Sequence, residues 1–340
     1  MNYLSDRIVL DHGTGGKLSG DLIRDVIVRC LGETHRGQME DSTVLEWKAD
    51  RIAITTDSFV LDPIFFHGGN IGKLAVCGTV NDLAVSGAKP LYLTLAFVLE
   101  EGFPLSDFEQ ILHSIRDAAL EAEVYIVAGD TKVVKRGEVD KIFINTSGIG
   151  IFQPNDIHLS ISSIRPGDDV IISGQLGNHS IHILSIREGL GFERRIQSDC
   201  APLNDMIAGV LKEFGNRIHC MRDITRGGLG TLLNEISQLG GFGVRIEQVR
   251  LPILHETVMA ADMLGVNPLY LANEGNVCIF ASSGASKGIV ETLRRHRYGE
   301  HASVIGKVLE CDDCHVVMCG EGGEEKIVQL LQGAELPRLC

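Results

Sequence analysis

Apolar residues recur along the 340-residue chain in two rhythms that take turns. Leu18, Leu22, Ile23, Val26, Ile27 and Cys30 fall three and four apart, the spacing that puts side chains on one face of a helix. Phe108, Ile111, Leu112, Ile115 and Ala119 repeat it and predict a second amphipathic helix over 106–122. Short runs rich in Val, Ile and Leu predict strands at 8–10, 51–58, 91–99, 124–128 and 141–151, with a β-like segment at 40–45. In the second half, strands are expected at 169–174, 277–281 and from Val304 and Val316, and helices at 202–214, 228–238 and 287–295. A mostly apolar helix is expected over 74–88. Turn residues gather at Gln153-Pro154-Asn155-Asp156 and again at Arg165-Pro166-Gly167-Asp168, the clearest break in the pattern. The reading is an α/β chain of two domains, 1–154 and 155–328, followed by a tail, 329–340. In that tail Gly333 and Pro337 oppose helix and favour an extended, flexible arm ending on Cys340.

Composition narrows the function classes. Hydrophobic content of 44% with 39 glycines describes a soluble α/β protein rich in tight turns. No apolar run approaches the ~18–20 residues needed to span a bilayer, and Met1 to Arg7 lacks the basic-then-apolar signal pattern, so the cytoplasm is expected. A net charge of −14 argues against a nucleic-acid binder and requires that any bound nucleotide be met by local cations. The nine cysteines are expected to be free thiols. Cys311, Cys314 and Cys319 with His315 have a zinc-like spacing, but no second Cys-x-x-Cys follows and 315–318 reads as strand, so a metal there is the weaker reading.

Candidate chemistry lies where strands end and helices begin. The segment Asp11 to Ser19, with Gly15, Gly16 and Lys17, looks like a phosphate-binding loop, but it lacks the first glycine of that motif and has Leu18 where Ser or Thr would bind Mg²⁺. Gly72 and Lys73 open the apolar helix and favour an anion at its N-terminus. Asn81-Asp82 inside so apolar a helix is anomalous, since a buried carboxylate is costly unless paired or bound to a cation. Gly129-Asp130-Thr131-Lys132 follows a strand, and Arg226-Gly227-Gly228 precedes a helix just after Asp223. Asp41, Asp57, Asp82, Asp130 and Asp223 thus offer hard oxygen ligands from both halves, suited to Mg²⁺ shared with a nucleotide triphosphate.

Several longer strings carry a resemblance. Thr55-Thr-Asp-Ser-Phe-Val, the run from Gly68 to Ala88, Ala128-Gly-Asp-Thr-Lys-Val-Val, Arg222-Asp-Ile-Thr-Arg-Gly-Gly-Leu, Ala272-Asn-Glu-Gly and terminal Pro337-Arg-Leu-Cys340 closely resemble the carbamoyl dehydratases of NiFe-hydrogenase maturation, the HypE family. The resemblance runs the full length and falls in the aminoimidazole-ribonucleotide-synthetase-like (PurM-like) superfamily. It implies two α/β domains with ATP and Mg²⁺ between them, a homodimer formed by the N-terminal half, and Cys340 as acceptor thiol. It further implies a carbamoyltransferase, HypF, as carbamoyl donor and a HypC–HypD complex as cyanide acceptor. The implied reaction is ATP-dependent dehydration of S-carbamoyl Cys340 to thiocyanate, with Lys132 and Glu274 as the residues near the amide. Within the superfamily, selenide, water dikinase carries a reactive Cys or Sec in its glycine-rich loop, absent from 12–17 here, and aminoimidazole ribonucleotide synthetase has no need of a cysteine tail. A non-catalytic carrier of Cys340 is the alternative of a different class. Two departures stand out: Asn178-His179-Ser180 where Asp-His-Gly is common, and Leu339 for isoleucine.

Overall fold

A computed structural model describes residues 6–14, 17–36, 42–43, 45, 51–152, 157, 159–310 and 314–331. The first half holds α1 (Lys17–Leu22), a π-helical segment (Ile23–Val28), α2 (Arg29–Leu31), β1 (Ile52–Phe59), the short β2 (Phe65–Phe66) and β3 (Gly69–Asn70), α3 (Ile71–Val85), β4 (Lys89–Glu100), α4 (Leu105–Glu121), β5 (Tyr125–Val134) and β6 (Ile142–Ile151). The second half holds β7 (Asp169–Ile172), α5 (Asn178–Glu188), α6 (Asn204–Phe214), β8 (Ile218–Asp223), α7 (Gly228–Gly240), β9 (Gly243–Glu247), α8 (His255–Leu264), β10 (Val277–Ala281), α9 (Ser286–Arg294), β11 (Ser303–Leu309), β12 (Val316–Cys319) and β13 (Glu325–Val328).

The first half builds a four-stranded sheet in the order β1-β6-β4-β5. Only β4 and β5 pair in parallel, and α4 is the crossover that such a pair requires. Strand alternation decides what each face does. Leu93, Leu95, Phe97 and Leu99 of β4 point to the helix side and are fully buried, as is Ile144 of β6. On the other face, Ile52 is 47% and Ile54 68% exposed, an open and partly apolar surface. The second half forms a seven-stranded sheet, β13-β12-β9-β11-β7-β10-β8, parallel only between β9 and β12.

Helix α3 joins the two halves. Every one of its residues except Lys73 and Asp82 is buried. Leu74, Val76, Cys77 and Val80 pack into the first-half core, which also takes in Ile183, Leu184 and Cys200 from the second half. Ala84 and Val85 instead join a core built from β8, β10, α6 and α9. A helix that is apolar all round is one with no solvent face, and α3 is such a helix.

Several expectations need correction. Ile8-Val9-Leu10 is not a strand: Arg7 makes one isolated bridge to Pro104, and Leu10–Gly13 is a 3₁₀ turn. The strand expected to stop at Ala128 continues to Val134, because β4 keeps pairing with it as far as Glu100. Phe59, Leu61, Ile64 and Phe66 are buried within the chain. Strands β2, β3, β8, β9 and β13 and helix α8 were not foreseen; α8 exposes Met259 and Met263, which blurs its apolar stripe. Glu40, Asp41 and Val44 of the expected 40–45 segment, the turn at 153–156, Cys311 and the tail from 332 lie outside the described residues.

Phe108 is the largest fully buried side chain of α4, and its ring meets Phe97 edge-on at 5.2 Å. Phe108→Ala should lower unfolding free energy by about 3–5 kcal/mol, read as a reduced urea midpoint with an unchanged m-value.

Candidate active site

Asp82 occupies one of the two positions at which α3 escapes full burial. Strand β1 runs beside it, and alternation turns Thr55 and Asp57 to the same, helix-covered face: Thr55 lies opposite Gly148 and Asp57 opposite buried Thr146. The Thr55 hydroxyl donates to Asp82 Oδ2 at 2.7 Å. From the second half, Asp223 ends β8, with the Thr225 hydroxyl beside its carboxylate. The two halves therefore bring Asp57, Asp82 and Asp223 together.

Their electrostatics follow from that placement. Burial pushes the Asp82 carboxyl up to about 7, the charge of Asp223 and then Asp57 adds to the rise, and only the Thr55 hydrogen bond opposes them. Asp223 is also raised, by burial first and by Asp57, against the lowering effect of Arg222 and Thr225. Carboxylates that bind protons this readily are relieved equally well by a divalent cation, so the donor set fits Mg²⁺. Among the described residues no three His, Cys, Asp or Glu side chains form a closed metal cage. Asp41 lies outside the described residues. Cys314 is exposed and Cys319 is buried at the end of β12.

Glu274 is buried in the loop that leads into β10. The N–H groups of Glu274 and Gly275 donate to the two carboxylate oxygens of Asp199, at 3.0 and 3.2 Å. Beside this loop opens a polar cleft of about 410 Å³, lined by Lys73, Gln175, Asn178, Asp199, Gly275 and His301. Lys73 Nζ donates to the Gly68 carbonyl at 2.9 Å at its edge.

Other predicted positions turn out to be structural. The α3 N-terminus is already capped: Asn70 Oδ1 accepts the N–H of Gly72 and of Lys73. Gly72 is buried, and a Cβ on it would sit 2.6 Å from the Ile111 carbonyl, so α4 packing dictates this glycine rather than a phosphate. Asn81 is also held by the fold: its Nδ2 donates to Ala201 O at 3.0 Å and its Oδ1 accepts from Leu203 N at 2.7 Å. Gly227 and Gly228 have φ of 76° and 61°, and a Cβ on Gly228 would meet the Leu269 carbonyl at 2.5 Å, so the double glycine is a steric requirement of the turn. Arg226 beside them is exposed, as is Lys17 at the start of α1, while Gly15 and Gly16 lie outside the described residues.

Lys132 sits apart. It faces the open side of the first sheet opposite Val98, pairs with Asp130 at 2.8 Å, and holds that carboxyl below its usual range. Thr131 turns to the helix side, and its N–H donates to Asp130 Oδ1 at 2.9 Å. Asp57 and Asp82 are on the helix side, so the sheet divides the expected single cluster of carboxylates and lysine into two sets. The period-2 alternation of strands, applied to both β1 and β5, predicts that division.

The comparisons with known proteins bear on this arrangement. Residues 39–152 match the model of the AIR synthase related protein, N-terminal domain, and residues 165–319 match that of its C-terminal domain. The carbamoyl dehydratase HypE of Azotobacter vinelandii is 42% identical over 340 residues, spanning all of this chain and 99% of that protein. The chain belongs to the HypE family. A crystal structure of the hydrogenase maturation protein HypE in complex with ATP superposes with a TM-score of 0.92 at 40% identity, covering 96% of this chain and 98% of that one. A HypE–HypF complex superposes at a TM-score of 0.79 and 43% identity, covering 92% and 99%. Thiamine-monophosphate kinase of Stenotrophomonas maltophilia, 19% identical with a TM-score of 0.67, shares the fold.

Within the HypE framework, this chain's departure at 178–180 is absorbed structurally. Asn178 Oδ1 accepts the Thr257 hydroxyl at 2.8 Å, its Nδ2 donates to Gln175 at 3.1 Å, and burial keeps His179 neutral by lowering it to about 3. Sequence reading missed Thr55, Thr225 and Asp199. The first was signalled by its spacing of two from Asp57; Asp199 lies 75 residues before Glu274 and left no local signal. Asp82 also yields a pH prediction. Its folded carboxyl is raised above the unfolded value, so its contribution is complete near pH 4 and is lost as pH rises to about 7. Asp82→Asn does not titrate. Without nucleotide or divalent ions, its melting temperature should fall less than wild type's between about pH 5 and about pH 8; parallel curves would refute the raised state.

Proposed function

We propose that this HypE-family chain dehydrates a carbamoyl group carried on the sulfur of its own Cys340, using ATP, to give a thiocyanate that supplies cyanide for the iron of [NiFe]-hydrogenase. The observation that carries this reading is the set Asp57, Asp82 and Asp223, drawn from both halves next to the loop bearing Glu274. The ATP complex of a HypE protein 40% identical to this chain supports ATP as the nucleotide. An amide oxygen is a poor leaving group; once it attacks the γ-phosphorus it departs as phosphate. The C–O bond then breaks as both N–H protons leave, and S–C≡N, ADP and phosphate result. Asp82 and Asp223, with Asp57 beside them and Asp41 preceding, would hold Mg²⁺, which when bound neutralises charge on the transferred phosphoryl group. Glu274 is assigned as the base that takes a proton from nitrogen, a role favoured by its burial. Lys73, at the cleft edge, is placed to meet anionic charge.

Lys132 and Asp130 enter this reading through a homodimer. The open face of the first sheet, with Ile52, Ile54 and Val98, is the surface we assign to it, and the paired Asp130 and Lys132 border that surface. The division into 1–154, 155–328 and a tail from 329 is supported by two sheets whose strands each stay within one half. HypF as carbamoyl donor is supported by the HypE–HypF complex of a relative. A HypC–HypD complex as cyanide acceptor rests on the need for a thiol-to-iron transfer, and cytoplasmic location on the company of such maturation partners. Among the described residues no helix is long and apolar enough to cross a membrane.

Two variants test the chemistry. Glu274→Gln should accept the carbamoyl group and bind ATP yet form no thiocyanate, whereas Cys340→Ala should lose both modifications and keep its fold. Thiocyanate formed by Glu274→Gln at the wild-type rate would remove Glu274 as base. For the dimer, Ile54→Arg places a charge in the proposed interface and should sediment as a monomer at micromolar concentration. A wild-type sedimentation pattern would place the interface elsewhere.

A further inference from the structure

Residues 198–203 run as a strap between the two halves, and nearly every residue in it is tied down. Ser198 Oγ meets His179 Nδ1 at 2.8 Å and accepts the Cys200 N–H at 3.1 Å. The Asp199 carboxylate takes the adjacent N–H groups of Glu274 and Gly275, one on each oxygen. The Cys200 thiol lies beside Cys77 of α3. The Ala201 N–H donates to Glu274 O at 3.3 Å, and its own carbonyl accepts from Asn81, which also receives the Leu203 N–H. The strap thus touches the backbone of Glu274 on one side and the immediate neighbour of Asp82 on the other.

We propose that Asp199 is a positioning residue for Glu274, clamping the backbone of the Glu274–Gly275 loop so that the base and the Asp82 carboxylate on α3 keep one fixed register. The proposal rests on the assignment of Glu274 as base. Hydrogen bonds from backbone N–H to a carboxylate are charge-assisted and roughly twice as strong as neutral ones, and here both oxygens of one side chain bind consecutive amides. The contact is also steric: a Cβ on Gly275 would lie 1.8 Å from the Asp199 carbonyl oxygen, so strap and loop meet backbone to backbone. Displacing a reacting group by about 1 Å can cost on the order of 100-fold in rate, so a loosened clamp is felt in the chemical step before it is felt in nucleotide binding.

Asp199→Asn keeps the shape but offers one acceptor oxygen and turns an NH₂ group towards an N–H. With the tail charged by a carbamoyltransferase and then mixed with Mg-ATP, single-turnover thiocyanate formation should fall roughly 10–100-fold. The KM for ATP and the extent of carbamoylation should stay within about two-fold of wild type, a split that mere loss of fold would not produce. Glu274→Gln is run in parallel. If that variant reacts at the wild-type rate, the assignment of the base fails; if it is inactive while Asp199→Asn reacts like wild type, the positioning role is overturned. A loss of ATP affinity and carbamoyl acceptance together with rate would make Asp199 a structural residue only and overturns it too. Should Asp199→Asn not fold, amide hydrogen exchange of the wild-type chain decides. Protection of the Glu274 and Gly275 amides by on the order of 100-fold or more over an open loop is expected, and open-loop exchange rates contradict the clamp.

Discussion

Burial of α3 between the two halves is the constraint on which the rest of this structure depends. An α-helix with apolar residues on all sides has to be covered on all sides, and here the first sheet and α4 cover one part of it while β8, β10, α6 and the 198–203 strap cover the other. Where coverage lapses, at Lys73 and Asp82, the helix presents its only charged residues. Asp82 is consequently neither in water nor in a dry core. It is held at the seam, near carboxylates from both halves, where a charge is costly until a cation or proton arrives.

The seam explains how so acidic a chain meets a polyanion. Its net charge is −14, and the glycine-rich segments that look like phosphate cradles are, at Gly72 and Gly228, glycines forced by close backbone packing. What is left for nucleotide chemistry is a set of carboxylates in need of a counter-ion, a lysine at the edge of a polar cleft, and a buried glutamate held by its backbone. A HypE relative 40% identical to this chain forms a complex with ATP. The proposed reaction brings the Cys340 thiol to this set.

The α/β class and most elements were legible because burial writes itself into periodicity: α4 shows its buried residues in the three-and-four spacing that the sequence displays. Asp82 was legible for the opposite reason, as a charge that periodicity cannot accommodate. Where tertiary pairing overrode local preference, reading failed. Gly129 and Asp130 disfavour strand, yet β4 supplies the pairing, and a Cβ on Gly129 would strike the Leu95 carbonyl at 2.6 Å. The partners of Asn81, Ala201 and Leu203, are about 120 residues away, and nothing in a local window reveals that its amide bridges the halves. The face of the sheet that Lys132 takes, opposite Val98, could not be read from its distance along the chain. The family resemblance carried the identity of the chain, but the side of the sheet on which each residue works had to come from the fold.

The central claim is that both halves act together on a carbamoyl group carried by this chain's last residue. The most direct measurement follows the intact mass of the protein charged by its carbamoyltransferase, freed of nucleotide, and then given Mg-ATP. The account predicts that Cys340 gains one carbamoyl group and, only after Mg-ATP is added, loses one water in step with release of one phosphate. A carbamoyl group that appears on another residue, or that persists on Cys340 while ATP is consumed, would contradict it.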